Sequence, residues 1–148
     1  MIWLMRHAKA AGGLPDEARP LTGRGLRDAA AAGRALQALG VHLDACLASP
    51  KRRTVQTAEL VCAPLGLEVT AEPALAGGDF DAQRLVAGLG DTLLVGHNPA
   101  ISVAVNALSG ARVSLRPGGL AAVARSELVL ALTPEVLLAI AAQAQNGA

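Results

Sequence analysis

Four side chains at three separate places in the sequence could do chemistry together. Arg6 and His7 lie in MIWLMRHAKA, Arg53 in LASPKRRTVQTAE and His97 in TLLVGHNPA. Each follows an apolar run that reads as a buried strand, and in open α/β sheets ligands bind at the carboxyl ends of strands. A guanidinium fork binds two phosphate oxygens at once, and imidazole is a covalent nucleophile. Two arginines with two imidazoles therefore suit a phosphoryl group. They do not suit a metal, because the arginines would repel the cation and no carboxylate accompanies the histidines. A serine or cysteine nucleophile lacks its setting: GxSxG is absent, and neither Cys46 nor Cys62 adjoins a polar cluster. Taken singly, each motif has a plainer reading. Arg6 and His7 could be a strand end reaching solvent, and Lys51, Arg52 and Arg53 a basic surface patch.

The elements that must position these groups follow from apolar patterning. Short apolar runs alternate with longer helical patterns, the signature of an α/β layered domain. Strands are expected over Ile2–Met5, Ala45–Ala48, Glu68–Thr70, Thr92–Val95, Leu120–Ala124 and Leu128–Leu132. Helices are expected over Gly23–Leu39, Lys51–Ala63, Ala82–Leu89, Ala100–Leu108 and Glu135–Gln143. Thr22 is a candidate cap for the first helix, whose buried face would carry Leu26, Ala29, Ala30, Gly33 and Leu36. Its arginines, Arg24, Arg27 and Arg34, read as a solvated face. Ser49 is a candidate cap for the second helix, with Pro50 at its first position. Arg53, about one turn in, can then lean back to the mouth of the preceding strand. The helix start adds unpaired N–H groups and a positive dipole end.

Composition narrows the function further. The chain has 148 residues, 52% of them hydrophobic, with one Trp, one Phe and no Tyr. One compact domain with an Ala, Leu and Val core is expected. The formal charge of +1 comes from dispersed charges, and aromatic platforms are lacking, so nucleic acid is not an expected partner. LVLALTPEVLLAIAAQA is broken by Pro134 and Glu135, so no membrane span is expected. No targeting signal is read at the start, and cytoplasmic placement with Cys46 and Cys62 as packing thiols is expected. His42, the third histidine, sits in the turn GVHLD and is expected at the surface.

RHA after the first strand, SPxxRxxQTA after the second and GHNP after a later one resemble the histidine phosphatase (phosphoglycerate-mutase-like) superfamily. With RPLTGRG, the likeness spans essentially the whole chain in the family's order, and the short length, RPLT and GHNP are similar to its small phosphohistidine phosphatase branch. The resemblance implies one histidine phosphatase domain over 1–148, of α/β class: three layers, a mainly parallel central sheet and helices on both faces. It implies His7 as the nucleophile that is transiently phosphorylated. Arg6, Arg53 and His97 would stabilise the transferring oxygens, and no metal or cofactor is implied. Two guanidinium charges nearby would favour neutral His7. Two departures stand out. The family's RHG is RHA here, and Ala8 would resist a positive φ. The acid of phosphoglycerate mutases and many phosphomonoesterases should fall near Ala76 or Gly77. Glu72, Asp79 and Asp81 are close by, and Asp79 either substitutes for the acid or starts the next helix. Arg19, in RPLT, is read as pairing with Asp16 or Glu17, with substrate contact at the pocket rim as the alternative. Asn98 is read as turning the backbone at His97.

The missing acid bears on substrate. An alcohol leaving group has a pKa of about 16, as for water, and its expulsion gains on the order of 10²–10⁴-fold from a placed acid. Imidazolium has a pKa of about 6.5, so phosphohistidine can expel neutral imidazole after taking a proton from solvent. A phosphate clamp without an acid therefore favours N–P bonds. Segments between elements are short, with no lid, so a histidine carried on another protein can enter. The expected activity is a phosphatase acting on phosphohistidine in proteins such as histidine phosphotransfer domains or phosphocarriers. The alternatives are a small-molecule phosphomonoesterase and, less favoured, a non-catalytic phosphate-binding module.

Overall fold

In the computed structural model, residues 1–147 are described. Six strands, β1 (Ile2–Arg6), β2 (Ala45–Ala48), β3 (Thr70–Ala71), β4 (Thr92–Gly96), β5 (Leu120–Ala124) and β6 (Glu127–Leu132), form one sheet in the order β3-β2-β4-β1-β5-β6. The β3-β2-β4-β1 part is parallel, and β5 and β6 are antiparallel to their neighbours. Five helices cover it: α1 (Gly23–Ala38), α2 (Arg52–Cys62), α3 (Ala82–Val86), α4 (Ala100–Ser109) and α5 (Pro134–Asn146).

The layering follows from strand periodicity. Successive β1 side chains enter opposite faces. Trp3 and Met5 pack with Ala32, Ala35 and Leu36 of α1, Ala58 and Val61 of α2 and Leu137 of α5. Leu4 packs with Ala82 of α3 and Ile101, Ala104 and Val105 of α4. The sheet is thus buried on both faces, and the α/β architecture is the expected one. Alanine sets the close spacing of the first face. At Gly33 an added Cβ would lie 2.6 Å from the Val61 carbonyl oxygen, so α1 and α2 touch backbone to backbone there.

The boundaries shift in instructive ways. Strands β1, β4 and β6 are each one residue longer than expected. Strand β3 is only Thr70–Ala71, an exposed edge pair beside β2 rather than Glu68–Thr70. Helix α3 stops at Val86 instead of Leu89: Ala87 leaves the helical region and Gly88 after it takes a positive φ. Helix α5 starts at Pro134 and runs to Asn146, with Thr133 as its cap. Thr22 caps α1 as read, accepting from the Gly25 N–H at 3.0 Å. Leu26, however, is exposed, and Asp28 takes an inward position beside Arg24. Arg24, Arg27 and Arg34 are exposed. His42 is 84% exposed beside Asp44. Cys46 and Cys62 are buried free thiols. Among the described residues no helix is long and apolar enough to cross a membrane.

Candidate functional site

The parallel register brings three strand ends together. Arg6 lies opposite Gly96, and both Met5 and Ala48 lie opposite Val95. His7, Ser49 and His97, each the residue after a strand, therefore emerge side by side. The His7 N–H donates to the Gly96 carbonyl at 3.0 Å and the Ser49 N–H to that of Val95 at 3.1 Å. The His7 and His97 ring centroids are 5.3 Å apart. Arg6, His7, Arg19, Lys51, Arg53 and His97 line one open cavity of about 530 Å³. All four residues singled out by type and spacing thus reach one place, and Arg19 joins them.

The backbone behind His7 is held by the motif residues around it. The buried Ala8 N–H donates to Thr57 Oγ1 at 3.0 Å, and Gln56 Oε1 accepts from the Leu21 N–H at 2.8 Å. The QT pair of α2 thus ties down both the RHA turn and the RPLT segment. Ala8 has no positive φ, so the methyl group that replaces the family's usual glycine hydrogen imposes no backbone strain there. Arg6 Nη1 donates to the Leu115 carbonyl at 3.1 Å, and Asn98 Nδ2 reaches the same oxygen at 2.8 Å. Asn98 also accepts from Ser102 Oγ at 2.9 Å, so it braces the turn after His97.

His7 has its tautomer set by its neighbour. Its Nδ1 is 2.7 Å from the Ala8 carbonyl oxygen, which can only accept, so Nδ1 carries the proton and Nε2 keeps its lone pair. Burial, then the charges of Arg53, Arg6 and Arg19, depress the His7 pKa to about 4 against the hydrogen bond to Ala8. Burial, then His7, Arg53 and Lys51, depress that of His97 to about 3. Both rings are neutral near pH 7. Among the described residues, Arg6 Nε, Arg53 Nε and His97 Nδ1 are buried without a hydrogen-bond partner, a costly arrangement unless an anion can engage such groups.

Two positioning groups escaped the sequence reading. Asp16 sits in a 3-10 turn, Asp16–Ala18, and its carboxylate meets Arg19 at 2.9 Å and both Lys51 and Arg53 at 3.2 Å. Its carbonyl oxygen also accepts from Arg53 Nη1 at 2.8 Å. Hydrogen bonds from Lys51 and Arg53 hold the Asp16 carboxyl down at about 2. Arg19 pairs with Asp16, as read, and also lines the cavity. Ser49 is the second. It does not cap α2, whose first residue is Arg52 and whose cap position is Lys51. Its hydroxyl oxygen instead lies 2.8 Å from His97 Nε2.

The three acidic residues near the expected acid position separate. Glu72 accepts from the Ala74 N–H and Asp81 caps α3 through the Arg84 N–H. Asp79 does not cap α3; it is exposed and lines the cavity beside Ala76, Gly77 and Gly78. Among the described residues no cluster of His, Cys, Asp or Glu could hold a metal ion.

The family model of the histidine phosphatase superfamily (branch 1) matches residues 2–85. The chain belongs to that superfamily. No curated protein matches it by sequence. Among solved structures, the protein histidine phosphatase SixA in complex with tungstate is 26% identical, with a TM-score of 0.81 over 92% of this chain and 98% of that one. A SixA structure from Nakamurella multipartitia is 28% identical, with a TM-score of 0.74 over 90% of this chain and 95% of that one. The alpha-ribazole phosphatase of Shigella flexneri shares the fold at 20% identity, with a TM-score of 0.67 over 87% and 93%. The histidine phosphatase fold thus extends past the matched segment to β5, β6 and α5.

Proposed function

We propose that this histidine phosphatase hydrolyses phosphohistidine on other proteins through a phosphorylated His7, with residues 1–148 acting as one catalytic domain. The observation that carries the reading is that His7, whose Nδ1 is held by the Ala8 carbonyl, lines one cavity with Arg6, Arg53 and His97, each of which keeps a buried nitrogen without a partner. Tungstate in the SixA relative is a tetrahedral oxyanion of the kind such a pocket suits.

In the first step His7 Nε2 attacks phosphorus and the N–P bond of the substrate breaks. The leaving imidazole takes a proton from solvent and departs neutral. Arg6, Arg53 and His97 neutralise the charge spread over the three equatorial oxygens. In the second step water attacks the His7 phosphoryl group, phosphate leaves and His7 returns to its neutral form. Arg19 is placed to greet the substrate at the rim, and no metal or organic cofactor enters either step. The open cavity favours a phosphorylated protein, such as a histidine phosphotransfer domain or phosphocarrier, in the cytoplasm.

A panel comparing a phosphohistidine protein, phosphoramidate and sugar phosphates, with His7→Ala as the blank, tests the substrate class. The reading requires kcat/KM for the N–P substrates to exceed that for the esters. The second reading, a small-molecule phosphomonoesterase, draws on Asp79 at the cavity wall. Collapse of ester hydrolysis in Asp79→Asn, with esters preferred in the panel, would favour it.

A further inference from the structure

We propose that Ser49 is a positioning residue that fixes the tautomer of His97, so that the ring presents Nδ1–H to the phosphoryl oxygens. The inference rests on reading His97 as a phosphoryl contact and adds how that contact is prepared.

Ser49 is fully buried at the end of β2, and its hydroxyl has one hydrogen to give and two lone pairs to receive. The Lys51 N–H donates to Ser49 Oγ at 3.3 Å, using one lone pair. The other contact of that oxygen among the described residues is His97 Nε2 at 2.8 Å. Were Nε2 the donor, the serine hydrogen would be buried without an acceptor, an arrangement folded proteins avoid. Ser49 therefore donates and Nε2 accepts. His97 is held neutral, at about 3, chiefly by burial and by the neighbouring His7 and Arg53. A neutral ring has a single N–H, and with Nε2 accepting it must sit on Nδ1. That nitrogen is one of the buried, unpartnered atoms of the site. A donor is what an anionic oxygen requires there; the opposite tautomer would offer it a lone pair.

The arrangement mirrors that of His7. There the Ala8 carbonyl holds the proton on Nδ1 and frees Nε2 as a base and nucleophile. At His97 a hydroxyl donor holds Nε2 and turns Nδ1 into a donor. Two rings 5.3 Å apart thus have the same tautomer but expose opposite ends, one nucleophilic and one electrophilic. The β2–β4 register produces this, since Ala48 lies opposite Val95 and Ser49, the residue after β2, reaches the ring two residues beyond Val95.

Nitrogen-15 NMR of the histidine-labelled protein tests the assignment, without and with saturating inorganic phosphate. The expected spectrum has His97 protonated at Nδ1 and bare at Nε2. Phosphate should shift the Nδ1 signal, and Ser49→Ala should move the proton partly or wholly to Nε2. Ser49→Ala should also lower kcat on phosphoramidate by about 10–100-fold with little change in KM, and Ser49→Thr should restore both tautomer and rate. A wild-type His97 protonated at Nε2 would overturn the proposal, and that measurement stands even if the alanine variant fails to fold. A rate loss in Ser49→Ala with the tautomer unchanged would overturn it too. Nδ1 protonated but indifferent to phosphate would instead count against the phosphoryl-contact reading, leaving the tautomer assignment in place.

Discussion

Arg53 is the side chain whose chemistry is hardest to replace. Its two terminal nitrogens are held by the Asp16 carbonyl and carboxylate, while Nε is buried and unpartnered. Lysine keeps the charge but loses the fork. Arg53→Lys should therefore lower kcat/KM on phosphoramidate by about 10²–10³-fold, the range for losing one preorganised donor. Asp16→Asn should cost less, on the order of 10-fold, because the backbone carbonyl still holds Nη1. A rate in Asp16→Asn as low as in Arg53→Lys would assign the carboxylate a direct part in chemistry. At this scale the sequence was only half legible. His7 and His97 are two of only three histidines and each follows a strand, Arg6 ends β1, and Arg53 lies in the first turn of the helix after β2, so type and position mark them. Ser49 and Asp16 act through partners 48 and 37 residues away, and no local pattern marks such pairs.

The elements place these groups through close backbone approaches. Gly25, in the first turn of α1, packs against the strand-end loop: an added Cβ would lie 2.2 Å from the Lys9 carbonyl oxygen, two residues past His7. Gly25→Ala should destabilise the fold by about 1–3 kcal/mol, as overpacking does, and displace the His7 turn. Urea unfolding with parallel assays should show the midpoint and the activity falling together. An unchanged midpoint would mean the loop yields freely and does not depend on α1. Helix starts and strand cores were legible because capping and apolar periodicity are local signals; the Thr22 cap and the β2 and β5 boundaries are examples. The ends of α3 and β3 were not. The turn at Ala87 and Gly88 stops a helix that leucine and valine would continue, and β3 survives only where Leu47 and Ala48 offer it an edge.

For the whole molecule, keeping two imidazoles neutral has a consequence in acid. His7 and His97 titrate near 6.5 in the unfolded chain and near 4 and 3 in the native one. Between pH 6.5 and about 4 the unfolded chain binds more protons, so stability falls as pH falls through that window. The urea midpoint should drop from pH 7 to pH 5, and the drop should shrink in a His7→Gln, His97→Gln double variant. An equal drop in both proteins would place the effect elsewhere. Phosphate should act in the opposite direction, since it binds the native clamp. At about 100 times its Kd, inorganic phosphate should add ~2.7 kcal/mol, raising Tm on the order of 5–10 °C, and Arg53→Lys should abolish most of that gain. The three-layer fold was legible because alternating apolar strands and amphipathic helices admit few packings. The sheet order was not, because the placing of β4 between β1 and β2 depends on contacts far apart in sequence.

The central claim is that His7 itself carries the phosphoryl group. Rapid quenching in base after mixing with a phosphohistidine protein, followed by peptide mass spectrometry, tests it most directly. The account predicts an acid-labile, base-stable adduct on His7, absent in His7→Ala, that forms and decays at rates consistent with kcat. Full turnover with no adduct on His7, or with the phosphoryl group on another residue, would contradict it.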